Sequence, residues 1–118
     1  MSDFNIYFNP QCSKCRIALQ ALNEQGEEPE IIKYLESPPS REDLSQIIDM
    51  LSGPVSDLVR KDRNFEDLGL DGDQYCDKES VLSLLEKHPE LMQRPVVVRN
   101  GRAVIARTPE SVAAILES

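Results

Sequence analysis

The stretch FNPQCSKCRIAL, residues 8–19, sets two cysteines three residues apart, after an Asn-Pro pair and before an apolar run. Ahead of it, FNIYF (residues 4–8) reads as a short buried strand closed by Asn9-Pro10. Behind it, Cys15, Ala18, Leu19 and Leu22 recur at helical spacing across residues 14–25, and Gly26 is a stop signal. The cysteine pair therefore lies where a strand hands over to a helix.

Working outward, EIIKYL (residues 30–35) reads as a second strand. In SPPSREDL, Ser40 is a helix cap with Asp43 three residues on, and Leu44, Ile47, Ile48 and Leu51 form one apolar face. Residues 53–90 carry short helical patterns punctuated by Gly69, Gly72 and Pro89. PVVV (residues 95–98) and RAVIA (residues 102–106) form a hairpin across Asn100-Gly101. TPESVAAILES closes the chain as a helix, capped by Thr108 with Pro109 in its first turn. This order predicts an α/β, thioredoxin-like fold. A helical insertion, about residues 40–90, separates its β-α-β unit from its C-terminal β-β-α unit. Residues 1–118 are expected to form a single domain.

Composition narrows the function. The chain has 118 residues, 40% hydrophobic and 29% charged, as in a water-soluble globular protein. No apolar run approaches the roughly 20 residues that span a bilayer. The N-terminus lacks the basic and apolar regions of a signal peptide. A cytoplasmic protein with reduced thiols is expected. Three cysteines, an odd number, fit reactive thiols better than a disulfide framework. The net charge of −8 is uneven: residues 1–90 hold 9 Lys and Arg against 19 Asp and Glu. That balance argues against binding a nucleic-acid backbone. The last 28 residues carry Arg94, Arg99, Arg102 and Arg107 against two glutamates. Arg99 and Arg102 flank the hairpin turn and are expected to be solvated.

Cys12 has the chemistry of a nucleophile. A thiol at a helix N-terminus faces unpaired N–H groups and the positive end of the helix dipole. Both favour thiolate, and Lys14 and Arg16 add positive charge. Cys15, one helical turn on, is within the roughly 4.4–6.8 Å Cα window of a disulfide and can serve as a resolving thiol. It fits equally well as a small apolar group on the buried helix face. Beyond the pair only Cys76 and His88 remain, with no second paired spacing for a four-ligand zinc site. His88, before Pro89, reads as a helix-end residue. A Cys-x5-Arg phosphate loop is excluded, since Ala18 and Ala21 stand six residues beyond the cysteines. No metal and no bound cofactor are expected.

NPQCSKCR, YLESPPSREDL, LVRKDRNFEDLGL, HPELMQRPVVV and RTPE together resemble the glutaredoxin-dependent arsenate reductases, in order and at family spacing over nearly the whole chain. The resemblance implies that Cys12 is the catalytic cysteine and that Arg60, Arg94 and Arg107 bind the oxyanion. Arg16 would support the loop, and Pro95 would be the cis-proline facing the cysteine. It further implies arsenate as substrate, glutathione as co-substrate and glutaredoxin as partner; a monomer is expected. Two departures bear on thiol activation and resolution: Phe8 stands where the family often has histidine, and Cys15 where it often has another residue.

Two other readings stay open. The Spx transcriptional regulators share the fold and carry Cys-x-x-Cys here as a redox switch, and they bind the RNA polymerase α subunit. Arg107 counts against that reading. A general dithiol oxidoreductase of glutaredoxin type would leave the insertion and the matched arginines without a role. Arg60 and Arg94 could also simply pair with carboxylates such as Asp57 or Asp62.

Overall fold

The computed structural model describes residues 4–51 and 53–116. Strand β1, Phe4–Phe8, passes to helix α1, Ser13–Glu24, and then to β2, Glu30–Lys33. The insertion follows, with α2 (Arg41–Met50), α3 (Arg63–Asp67), α4 (Lys78–Lys87) and three 3₁₀ turns. The chain closes with β3 (Val96–Arg99), β4 (Arg102–Ile105) and α5 (Pro109–Leu116). The four strands form one sheet in the order β2-β1-β3-β4. β1 runs parallel to β2 and antiparallel to β3, and β3 pairs antiparallel with β4. This is the expected thioredoxin-like arrangement with a helical insertion.

The period of two along each strand divides the core. Ile6, Phe8, Val97 and Val104 face α1 and α5, where they meet Cys15, Ala18, Leu22, Val112 and Ile115. Tyr7, Val96, Val98 and Ala103 face the insertion, where they meet Leu44, Ile47, Leu58, Phe65, Val81, Leu85, Leu91 and Met92. The sheet is thus covered on both faces, which is why its central strands are nearly continuous in apolar residues.

Local chemistry sets the element ends. Asn100 and Gly101 both have positive φ, +51° and +80°, as a two-residue hairpin turn of type I′ demands. At α2 the Ser40 hydroxyl accepts from Asp43 N–H at 3.1 Å, and the Asp43 carboxylate accepts from Ser40 N–H at 3.3 Å. Asp62 and Asp77 cap α3 and α4 by accepting from Phe65 and Ser80 N–H. Part of the acidic excess of the insertion is therefore spent on helix starts, where carboxylates also oppose the helix dipole.

Two expectations need correction. The second strand ends at Lys33, not Leu35: the Lys33 carbonyl accepts from both Glu36 and Ser37 N–H and turns the chain, leaving Tyr34 fully buried at the turn. Arg99 and Arg102, opposite each other in the hairpin, are half-buried rather than solvated. Arg99 lies over the Phe4 ring at 4.8 Å and 3.7 Å from Glu27, and Arg102 donates to the Ala114 carbonyl at 3.4 Å. Their aliphatic stems cover the sheet end, a common use of long basic side chains.

Replacing Ser40 with Ala removes the capping box from an exposed position. It is expected to cost about 1 kcal/mol, seen as a lower denaturant midpoint at unchanged slope.

Candidate active site

The loop between β1 and α1 is built by Asn9. Its carbonyl accepts from Cys12 N–H at 3.0 Å, and its side-chain oxygen accepts from Gln11 N–H at 2.9 Å. Asn9 is itself buried. Arg16 donates to the Pro10 carbonyl at 3.1 Å and so ties the loop to α1. This seats Cys12 at the N-cap of α1.

The Cys12 sulfur is half-buried and faces the N–H groups of Cys15 and Lys14, the Arg94 guanidinium and the Cys15 thiol. Burial alone would push its pKa up. The Cys15 N–H, Arg94 and the remaining donors outweigh that, and the pKa falls to about 7. Cys15 moves the opposite way: burial and the adjacent Cys12 charge raise it to about 12. The pair shares its charge unequally, with Cys12 as thiolate and Cys15 as a protonated donor. Cys15 is fully buried in the α1–α5 core and in contact with Cys12.

Arg94 reaches the thiolate from the segment just before β3, which lies at the same end of the sheet as the loop after β1. The Arg94-Pro95 peptide bond is cis. Arg94 is half-buried and stays charged: burial works against the cation, and Cys12 and Tyr34 stabilise it. Arg107, two residues before α5, donates from Nη1 to the Arg94 backbone carbonyl at 2.6 Å, so two of the three matched arginines are joined. Arg60 does not join them in this state. Its Nε pairs with Asp62 at 2.8 Å, the carboxylate partner the sequence offered as an alternative. Its backbone nevertheless belongs to the same frame, since Arg60 N–H bonds the Leu91 carbonyl and Gln93 N–H bonds the Leu58 carbonyl.

Phe8 packs in the core and offers the thiolate no titratable group. Cys76 is exposed, its thiol near the Gly72 and Asp73 carbonyls. His88 ends α4, with Nδ1 3.2 Å from Glu90. Sequence reasoning missed Tyr34. Nothing in EIIKYL marks one strand-end tyrosine as a site residue, yet its hydroxyl lies within the electrostatic reach of Cys12, Cys15 and Arg94.

A low-pKa thiol at the N-terminus of the helix that follows the first strand of a β2-β1-β3-β4 sheet defines a thioredoxin-like thiol protein. A family model described as the ArsC family matches residues 7–115. An arsenate reductase of Neisseria meningitidis is 37% identical over 118 residues, covering 98% of this chain and 100% of that protein. An arsenate reductase of Escherichia coli strain K12 is 38% identical over 117 residues, covering 98% and 82% respectively. The solved structure of an arsenate reductase from Vibrio cholerae superposes with a TM-score of 0.83 at 38% identity, covering 95% of this chain and 96% of that one. The chain belongs to the ArsC family.

Alkylation of Cys12 by iodoacetamide, followed by peptide mass spectrometry, is expected to rise with pH to a midpoint near 7. Cys15 should stay unmodified well above that pH. Arg94→Ala should move the Cys12 midpoint up by roughly 1 unit, because an adjacent cation no longer favours the thiolate.

Proposed function

We propose that this chain is an arsenate reductase in which the Cys12 thiolate attacks arsenic. The observation that carries the reading is the thiolate held against Arg94, with Arg107 clasping the Arg94 carbonyl. Similarity to arsenate reductases over nearly the full chain supports it. A tetrahedral oxyanion needs charge-assisted donors, and a guanidinium fork can bond two oxygens at once. In a chain of net charge −8, such local donors must overcome a repulsive field.

The thiolate forms an S–As bond, and one arsenate oxygen leaves as water after taking up protons. Arsenic is still As(V) in this adduct. Two further thiols supply the two electrons that make As(III). Glutathione displaces a second oxygen as water and binds arsenic through sulfur. A glutaredoxin thiolate then attacks the glutathione sulfur, leaving as a mixed disulfide while the electron pair of the S–As bond stays on arsenic. Water then adds to the As(III) still held by Cys12, the S–As bond breaks, arsenite leaves and Cys12 returns as thiolate. Arg94 and Arg107 hold the oxyanion through these steps. Arg60 completes the set when the incoming charge draws its guanidinium from Asp62.

A coupled assay with arsenate, glutathione, glutaredoxin and NADPH tests this. Cys12→Ser should abolish turnover, and Cys76→Ser should leave it unchanged. Arg94→Ala and Arg107→Ala should each lower kcat/KM by roughly 10- to 100-fold, the worth of one charge-assisted hydrogen bond. Lysine at either position should restore little, for lack of the fork. Full turnover in Cys12→Ser would refute the reading.

The contact between the two sulfurs favours a second reading, a redox switch at the same site. Mild peroxide oxidises Cys12 to sulfenate, which Cys15 can displace as water to close a disulfide. The peptide spanning residues 12–15 should then lose two hydrogens in mass spectrometry, and Cys15→Ser should yield a sulfenate or glutathione adduct instead. Absence of the disulfide from the oxidised parent would leave Cys15 as a packing residue.

A further inference from the structure

Tyr34 is fully buried, yet its hydroxyl finds no hydrogen-bond partner among the described residues. The Nε of Arg94 is in the same condition. Buried polar groups in native proteins are nearly always paired, and each exception calls for an explanation. Leaving one unmade costs roughly 1–3 kcal/mol. Here two exceptions sit on neighbouring side chains beside one nucleophile, since the Tyr34 hydroxyl feels both the Arg94 guanidinium and the Cys12 sulfur.

The chemistry of the two groups identifies their guest. Arg94 Nε can only donate. A hydroxyl facing a guanidinium has its own proton left to give. Burial pushes the Tyr34 pKa up, more than the Arg94 charge holds it down, so that proton stays on the oxygen. The missing partner is thus an acceptor with several lone pairs, small enough to enter beside the Cys12 sulfur. Water could accept from both donors but carries no charge for the guanidinium. A tetrahedral oxyanion mates both.

We propose that the Tyr34 hydroxyl is a further substrate-binding donor, giving a hydrogen bond to an oxygen of the oxyanion that Arg94 grips beside Cys12. This rests on the reading of Cys12 and Arg94 as an oxyanion site. Tyr34 then differs from the arginines in kind. It is a neutral donor buried in the core on the insertion side of the sheet, so its hydrogen bond selects position rather than charge. Its unmade hydrogen bond costs stability, and removing the hydroxyl relieves that cost.

The test is Tyr34→Phe, with parent and variant compared in three measurements. The first is thermal stability without added anion. The second is the pH profile of Cys12 alkylation, also without anion. The third is protection of Cys12 from alkylation by arsenate, which can form the adduct, and by sulfate, which cannot. The variant is expected to be as stable as the parent or more so, with the same alkylation profile. Protection by either anion should require about 10-fold more of it. Equal protection in parent and variant would overturn the role of Tyr34 while leaving the oxyanion site intact. A parent that neither anion protects would overturn both. Lower stability in the variant would show the hydroxyl already bonded in the free protein, and a shifted alkylation profile would show it acting through Arg94. Either result also overturns the proposal.

Discussion

The charge on Cys12 is the constraint around which the rest of the structure is arranged. An isolated half-buried thiol is driven toward the neutral form, and the fold must supply enough positive potential to reverse that. It does so from two directions. The start of α1 contributes backbone N–H groups from Lys14 and Cys15, and the start of β3 contributes Arg94. Neither source is adjacent to the other in sequence. The sheet brings them together because β1 and β3 are hydrogen-bonded neighbours, so that the segment after β1 and the segment before β3 lie at one edge.

The insertion serves this arrangement as well as its own core. Its short bridge between Val59 and Met92 anchors the segment leading to Arg94. Arg107 anchors that segment from the other side through the Arg94 carbonyl. Arg94 is therefore held by its backbone from two elements, which leaves its side chain to face the thiolate. Cys15 completes the logic. Packed in the α1–α5 core and unable to ionise beside a charged neighbour, it lends Cys12 a hydrogen bond and keeps its own proton. A residue that reads as core and a residue that reads as chemistry are the same atom, seen at two ranges.

Much of this was visible in the residues. FNIYF, the Ser40–Asp43 capping pair and Asn100-Gly101 each declare their structure within four or five positions, since their physics is local. The cysteine pair declared its place for the same reason: a strand end, an Asn-Pro break and a helix start are contiguous. The end of β2 was harder, because a strand and a turn both tolerate Tyr34 and Leu35. Only the two hydrogen bonds to the Lys33 carbonyl decide between them.

What the sequence determined by itself was the order of the elements and the junction that carries Cys12; the family resemblance singled out three arginines. Only the tertiary structure decided which of those arginines meet. Arg94 and Arg107 do, through a side chain on a carbonyl, whereas Arg60 takes the carboxylate two residues away. Only it could set the hydroxyl of Tyr34 beside Arg94 with no hydrogen-bond partner among the described residues. Local patterns follow from backbone sterics and side-chain period. The pairing of charges and the orphaning of donors depend on which distant segments the sheet and core press together, and no window of sequence contains that.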